Sequence, residues 1–196
     1  GDVDAVCVPG GFGVRGIDGK LGALKYAREH KIPTLGLCLG LQCMVIEYSR
    51  NVAGIKDANS AEFDEKTTNP VISTMADQTD VVSGERDMGG TMRLGMYPAK
   101  LKAGSTAERV YGSNLVEERH RHRFEFNNDY KEAFEAAGFV CSGINPESGL
   151  VEIVEVKGHP FFLAAQFHPE YKSTVMNPHP LFVAFVKAAQ KHQKGK

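Results

Sequence analysis

The sequence predicts an α/β fold in which a mixed, mostly parallel central sheet has helices on both faces. In the first 52 residues, apolar runs alternate with stretches of helical spacing, an order that right-handed crossovers build into a parallel sheet. Between residues 139 and 167, three apolar runs follow one another across short turns, as antiparallel hairpins do. The 196 residues suffice for one domain with a full hydrophobic core.

The first half of the chain carries the parallel part of the predicted sheet. Residues 5–8 form an apolar run bounded by an aspartate and a Pro-Gly-Gly turn, and are predicted as a fully buried strand. Residues 20–30 and 39–52 have apolar side chains at helical spacing, and residues 32–37 form a second buried strand. A parallel sheet rarely begins without a lead-in, so we expect a piece of a longer protein.

The second half of the chain has shorter and more widely separated elements. They are predicted as strands at residues 71–74, 81–82, 96–101, 139–144, 150–156 and 161–167, helices at residues 129–137 and 181–189, and a disordered basic tail at residues 191–196. The sequence therefore predicts a single domain over residues 1–190.

Charge and cysteine content exclude several classes of function. The chain has 23 Lys and Arg against 24 Asp and Glu, which gives no basis for charge-driven binding to nucleic acid or membranes. No apolar run approaches the roughly 20 residues that span a bilayer. The four cysteines form no C-x-x-C pair and are too few for a disulfide scaffold. We therefore expect a cytoplasmic protein in which Cys7, Cys43 and Cys141 are core residues.

Cys38 lies in a pattern typical of a nucleophile. Residues 36–40 read G-L-C-L-G between a predicted strand and a predicted helix, and small flanking residues allow the sharp turn that exposes a nucleophile. The following helix is expected to lower the pKa of the thiol from about 8.5 by its dipole. The alternative is an ordinary buried cysteine in a glycine-rich loop.

A base and a residue that orients it follow the last predicted strand. His168 and Glu170 are two residues apart, so in an extended segment both point the same way. The imidazole can then serve Cys38 while the carboxylate fixes its tautomer. A lone histidine in a loop is more often solvated or structural, and it is the pairing with Cys38 that favours catalysis.

Residues 10–13, G-G-F-G, follow the first strand at the same edge of the sheet. Glycines let backbone amides approach a substrate closely, and we predict the amides of Gly11 and Leu39 as an oxyanion hole. A phosphate-binding loop is disfavoured because no G-K-[ST] follows and the G-x-G-x-x-G spacing fails.

Three motifs together resemble class I (triad-type) glutamine amidotransferases, namely P-G-G-F-G at residues 9–13, G-L-C-L-G at 36–40 and Q-F-H-P-E at 166–170. Members of this family have a flavodoxin-like fold, hydrolyse the side-chain amide of glutamine and pass ammonia to a partner active site. Residues 59–63, 89–95 and 118–125 further resemble the C-terminal glutaminase domain of the CTP synthase family. The similarity runs from residue 9 to about residue 186. The resemblance implies that family members have at least one strand and one helix before the start of this sequence.

The resemblance implies roles for individual residues. Cys38 is the expected nucleophile, His168 the general base and acid, and Glu170 the third triad member. Glutamine is expected to be held by Gly11, Leu39, Gly40, Leu41, Gln42, Glu62 and Arg123. Glu62 and Arg123 offer charges opposite to the α-ammonium and α-carboxylate of glutamine, and the planar fork of Arg suits a carboxylate. Without the resemblance, Glu62 would be interpreted as a solvated surface acid.

The resemblance also implies partners that lie outside this chain. Ammonia would serve an amidoligase (synthase) domain that aminates UTP to CTP and holds ATP and Mg²⁺, while this domain needs no cofactor and no metal. We expect GTP as an allosteric effector and a homotetramer of the full-length protein. Residues 89–95 and 119–123 are expected at the interface with the synthase domain. The alternating arginines of residues 119–123 could instead bind nucleic acid, although no interleaved aromatics support RNA.

Other functions remain open at the level of sequence. The same sharp turn around Cys38 could serve another class I glutaminase or a γ-glutamyl peptide hydrolase. A regulatory domain that kept the fold and lost activity is a further alternative, which an intact Cys38, His168 and Glu170 argue against.

Overall fold

The computed structural model describes residues 2–74 and 92–196. The strands are β1 Val6–Val8, β2 Thr34–Leu37, β3 Ala58–Ser60, β4 Asn69–Thr74, β5 Arg93–Leu101, β6 Leu115–His122, β7 Phe124–Phe126, β8 Phe139–Ile144, β9 Val151–Val156 and β10 Phe162–Ala165. The helices are α1 Ile17–Glu29, α2 Leu39–Asn51, α3 Thr106–Tyr111, α4 Lys131–Ala136 and α5 Pro180–Lys194, with short 3-10 helices at Asn128–Tyr130 and Pro169–Tyr171.

Seven of the strands form one mixed sheet in the order β1-β2-β10-β9-β8-β5-β6. β2 pairs in parallel with both β1 and β10, and the remaining pairs of this sheet are antiparallel. A small second sheet has the order β3-β4-β7. The predicted α/β class is confirmed, and so are the antiparallel hairpins that join β8, β9 and β10.

The large sheet curls so that its far edge returns to the end of β10. β10 is third in the sheet and β6 is seventh, yet the backbone N–H of His168, just after β10, donates to the carbonyl of Arg119 on β6 at 2.8 Å. The curl therefore brings the segments that follow β2 and β10 against the end of β6, where the candidate site lies.

Hydrophobic cores fill both faces of the large sheet, as alternation along its strands requires. On β10, Phe162 and Ala164 join the core beneath α1 and α2. The intervening Leu163 and Ala165 join a second core with Ala107 of α3 and residues of α5. The two cores fix β2 and β10 from both sides and so hold the residues at their carboxyl ends.

Several expectations from the sequence differ from the structure. β1 is not fully buried, because it is an edge strand of the sheet: Val8 is buried but Cys7 is exposed, so the prediction of Cys7 as a core residue is wrong. The terminal helix runs to Lys194, into the segment expected to be a disordered tail. β3, β7 and α3 were not expected as separate elements, and β6 was indicated only by the alternation of residues 119–123. The strand predicted at residues 81–82 lies outside the described residues.

Among the described helices, none combines the length and the apolar character needed to cross a membrane.

Candidate active site

Cys38 occupies a strained turn between β2 and α2. Its φ of 51° and ψ of −105° lie outside the regions that non-glycine residues favour. A Cβ on Gly36 would lie 2.8 Å from the carbonyl of Gly40, and one on Gly40 would lie 2.1 Å from the carbonyl oxygen of Val8. The flanking glycines are therefore required sterically, and they give the elbow that the G-L-C-L-G pattern predicts.

The sulfur of Cys38 is almost enclosed by protein. The residue is 2% exposed, and its thiol contacts the carbonyl of Arg121 at 3.9 Å. Burial raises the pKa of this thiol to about 12, with smaller contributions in the same direction from Glu170 and Glu62, while the N–H of Leu39 acts to lower it. The expectation of a lowered pKa is therefore wrong for the resting domain, because loss of solvation outweighs the helix N-terminus.

His168 and Glu170 form a hydrogen-bonded pair beside this elbow. Nδ1 of His168 lies 2.6 Å from Oε1 of Glu170. Nδ1 therefore carries the proton and Nε2 is the basic nitrogen. Nε2 is buried and has no hydrogen-bond partner within the described part of the chain. The two residues meet through a 3-10 turn at Pro169–Tyr171 rather than in the extended segment that was expected.

Gly10 lies beside both the imidazole of His168 and the nucleophile Cys38. A Cβ built on this glycine would lie 3.0 Å from Cε1 of His168 and 3.6 Å from Cβ of Cys38. The side chains of His168 and Cys38 therefore both lie next to Gly10, the first glycine of the loop. The predicted nucleophile, base and oxyanion loop converge at one place, as the pattern of three motifs implies.

A small pocket opens beside Cys38. It is lined by Gly11, Phe12, Cys38, Gln42, Glu62, His122, Arg123 and Phe124. Its volume of about 30 Å³ holds only a few water molecules. The pocket thus gathers the predicted nucleophile and four of the residues predicted to hold glutamine, one of which, Gly11, is also a predicted oxyanion donor.

Gln42 and Glu62 present oxygen atoms at this pocket. Nε2 of Gln42 donates to the carbonyl of Phe124 at 3.0 Å, and its Oε1 is buried without a partner among the described residues. Oε1 of Glu62 accepts from the N–H of Gly13 at 2.9 Å. Two acceptors near one another suit an ammonium group, which has donors only.

Gly40 and Leu41, which were also predicted to contact glutamine, do not line the pocket. Gly40 packs the start of α2 against the carbonyl of Val8, and Leu41 is fully buried in the core beneath α1 and α2. Leu39 is likewise absent from the pocket lining, and its N–H forms a hydrogen bond with the sulfur of Cys38.

A buried polar cluster behind the pocket was not anticipated. Nδ1 of His120 lies 2.8 Å from Nε2 of His122, and Arg93 pairs with Glu152 at 2.7 Å and with Glu125 at 3.3 Å. Burial, together with the neighbouring charges, lowers the pKa of His120 to about 2 and that of His122 to about 3. The period of two on β6 placed both histidines on the face opposite Arg119 and Arg121, which is the signal that could have found this cluster.

Across residues 2–74 and 92–196, no three or more His, Cys, Asp or Glu side chains are grouped so as to hold a metal ion.

Comparison with known proteins decides the family. The family model described as class-I glutamine amidotransferase matches residues 1–188. The chain belongs to the class-I glutamine amidotransferases. The likeness extends to a solved Trypanosoma brucei CTPS glutaminase domain with bound acivicin, with a TM-score of 0.87 and 43% identity over 96% of this chain and 71% of that one.

This amidotransferase domain is also similar in sequence to CTP synthases. It is 62% identical over 195 residues to that of Nocardioides sp. and 60% identical over 196 residues to that of Thermobifida fusca, covering 98% of this chain in each case. It spans 34% and 36% of those proteins, or about a third of the curated relatives' length. A Methylobacillus flagellatus glutamine amidotransferase, 13% identical with a TM-score of 0.54, shares the fold.

Proposed function

We propose that this domain hydrolyses glutamine to glutamate and ammonia through a thioester on Cys38. The observation that carries the proposal is the convergence of Cys38, the His168–Glu170 pair and the glycine loop around Gly10. Similarity to an acivicin-bound CTPS glutaminase domain supports the same reaction. Gln42, Glu62 and Arg123 line the pocket beside the nucleophile and are proposed to hold the α-substituents of glutamine.

The first half of the reaction forms the thioester. Nε2 of His168 takes the thiol proton as the sulfur of Cys38 attacks the γ-carboxamide carbon. The N–H of Gly11, together with that of Leu39 once it turns from the sulfur, donates to the developing oxyanion, and loss of one such donor costs about 10²–10³ in kcat. The tetrahedral intermediate then collapses, the C–N bond breaks, and His168 returns the proton to the leaving nitrogen. Ammonia leaves, and Cys38 carries a γ-glutamyl thioester.

The second half releases glutamate. His168 removes a proton from a water molecule, and the oxygen attacks the thioester carbonyl. The C–S bond breaks, the sulfur regains its proton from His168, and glutamate departs. Glu170 holds Nδ1–H throughout and so favours the imidazolium that forms in both halves.

We further propose that the ammonia aminates UTP to CTP in an amidoligase domain of the same full-length chain, where ATP and Mg²⁺ are expected. The CTP synthase relatives, about three times the length of this chain, support that arrangement. We expect a cytoplasmic homotetramer that responds to GTP.

The surface of the β5–β6 hairpin supports a docking site for that domain. Leu94 and Met96 are exposed and lie across the hairpin from Arg121 and Arg119. The backbone carbonyls of the same two arginines contact the thiol of Cys38 and the N–H of His168. A partner or an effector that shifts β6 would therefore act directly on the proposed catalytic residues. Residues 89–91, expected at the same interface, lie outside the described residues.

The deciding experiment uses the full-length chain. Cys38→Ala is expected to abolish CTP formation from glutamine and to leave CTP formation from added ammonia intact. Glutamine-driven synthesis at the wild-type rate in this variant would show that Cys38 is not the nucleophile. Met96→Asp tests the docking site, and is expected to reduce glutamine-driven synthesis more than ammonia-driven synthesis.

A further inference from the structure

The buried amide of Gln166 touches the nucleophile, and the mechanism above gives it no role. Its Nε2 lies 3.8 Å from Sγ of Cys38, within hydrogen-bonding range of a sulfur acceptor. The side chain has no exposed surface, and its Oε1 has no partner in the described part of the chain. A buried amide with an unmet bond costs stability and calls for an explanation.

The backbone holds this amide in place against the sulfur. The N–H of Gln166 donates to the carbonyl of Glu152 on β9 at 2.8 Å, and the N–H of Cys38 donates to the carbonyl of Ala165 at 2.8 Å. Cys38 is thus joined to the segment at the end of β10 by two neighbouring hydrogen bonds. One runs to the backbone of Ala165, and the other comes from the side chain of Gln166. Such a fixed donor needs no rearrangement when charge develops on the sulfur.

The groups around the sulfur differ in which protonation state they favour. The carbonyl of Arg121 can only accept, so it favours the thiol. The amide of Gln166 and the N–H of Leu39 both donate to the sulfur, and both act to lower the pKa of Cys38. Hydrogen bonds to a charged acceptor are stronger than those to a neutral one. When the proton leaves, the Arg121 contact is lost and the two donor contacts strengthen.

We propose that Gln166 is a further catalytic residue of this site, whose amide N–H stabilises the Cys38 thiolate. The proposal rests on the role of Cys38 as nucleophile, but its test does not require glutamine turnover. The residue follows β10 and lies two positions before His168. One short segment therefore supplies both the base that removes the proton and a donor that stabilises the anion left behind.

The test measures how fast iodoacetamide alkylates Cys38 in the full-length protein, with the modified peptide quantified by mass spectrometry. Gln166→Met keeps an unbranched side chain of similar length and removes the donor. The thiolate fraction falls tenfold for each unit by which the pKa rises, and this loss is partly offset by the greater nucleophilicity of a more basic thiolate. Alkylation is therefore expected to slow about three- to tenfold at every pH between about 7 and 9.

Ser142→Ala provides a matched control, because it removes the hydroxyl group of another buried side chain. Like Oε1 of Gln166, this hydroxyl oxygen has no partner among the described residues. It is expected to leave the alkylation rate unchanged.

In steady-state assays Gln166→Met is expected to lower kcat for glutamine hydrolysis with little change in KM. Equal alkylation rates in folded Gln166→Met and wild type would overturn the role of Gln166. Slower alkylation in a protein that does not hydrolyse glutamine would support Gln166 and refute the proposed function.

A second measurement leaves Gln166 in place, in case Gln166→Met does not fold. The side-chain amide resonances of Gln166 are compared between wild type and Cys38→Ala by NMR. Gln42 serves as the reference, because its amide lines the same pocket but donates to Phe124. A shift at Gln166 larger than that at Gln42 supports the hydrogen bond to sulfur, and equal shifts overturn it.

Discussion

Oε1 of Glu62 accepts a hydrogen bond at 2.9 Å from the backbone N–H of Gly13. This bond ties the residue proposed to hold the ammonium of glutamine to the loop that carries the proposed oxyanion donor Gly11. A single carboxylate could thus shape the loop, bind the substrate, or do both. Binding the ammonium group needs the negative charge of the carboxylate, whereas accepting the hydrogen bond from Gly13 needs only an oxygen atom.

Glu62→Gln separates these duties, because the amide keeps an oxygen that can accept from Gly13 but lacks the charge. Loss of a charge-assisted hydrogen bond costs about 1.5–3 kcal/mol, so KM for glutamine is expected to rise at least tenfold with kcat little changed. Glu62→Ala also releases the loop and is expected to lower kcat. Steady-state glutamate formation measures both effects. An unchanged KM in Glu62→Gln would remove Glu62 from the ammonium site.

Arg123 lines the same pocket as Glu62 and is expected to bind the α-carboxylate of glutamine. Arg123→Ala should raise KM for glutamine at least tenfold, since a charge-assisted pair is lost. Arg123→Lys keeps the charge without the planar fork, so an intermediate KM is expected. Arg109→Ala, an exposed residue of α3 bonded to Gly104, is the control and should leave KM unchanged. Equal KM values for all three variants would contradict the assignment.

Tyr171 covers one face of the base. Its ring stacks on that of His168 with centroids 5.0 Å apart and an angle of 18° between planes. Such a contact is worth about 0.5–1.5 kcal/mol. Tyr171→Ala is therefore expected to lower kcat about two- to tenfold through a looser imidazole, with KM unchanged. Tyr171→Phe keeps the ring and should restore wild-type kcat, and failure of this rescue would argue against stacking.

The elbow was predictable because its requirements are local. Gly36 and Gly40 sit where any Cβ would meet backbone atoms, so five residues of sequence encode the turn. α3 was equally local and was missed, although its signal is present. Ser105 caps the N–H of Glu108, and the carboxylate of Glu108 accepts from Gly104, which is close to the capping box that S-x-x-E indicates.

What could not be predicted depends on contacts between distant segments. The exposure of Cys7 follows from the position of β1 in the sheet. The raised pKa of Cys38 follows chiefly from burial, which the curl of the sheet completes by bringing the carbonyl of Arg121 to the sulfur. A helix N-terminus is visible in sequence, but the loss of water around a thiol is not.

Gly10→Ala tests the convergence of the loop and the triad. The added methyl would lie 3.0 Å from Cε1 of His168, so the imidazole must move by a few tenths of an ångström. Because a small misplacement of catalytic groups is costly, kcat is expected to fall at least tenfold with little loss of stability. Gly22→Ala in α1 has nothing within 4 Å of the new methyl, and should raise the free energy of unfolding by about 0.5–1 kcal/mol without changing kcat. Wild-type kcat in Gly10→Ala would refute the proposed geometry.

Buried histidines predict how stability depends on pH. Burial is the main cause that lowers the pKa of His120 to about 2, of His122 to about 3 and of His159 to about 4, from 6.5 in each case. Below about pH 6.5 the unfolded chain therefore binds protons that the folded domain does not. Stability is present above that pH and is lost as pH falls, by up to about 1.4 kcal/mol per pH unit for each of the buried His120 and His122 and by less for the half-buried His159.

His159→Gln isolates one of these contributions at a position in the β9–β10 turn, away from the proposed site. Urea unfolding at pH 8 gives the pH-independent cost of the substitution, because both states then carry a neutral side chain there. Between about pH 6.5 and 5 the variant is expected to lose stability less steeply than wild type. Because the ring is only half-buried, solvent screening makes this difference in slope smaller than a fully buried histidine would give. Parallel pH profiles for the two proteins would show that His159 takes up its proton equally in the folded and unfolded states, which the partial burial of its ring argues against.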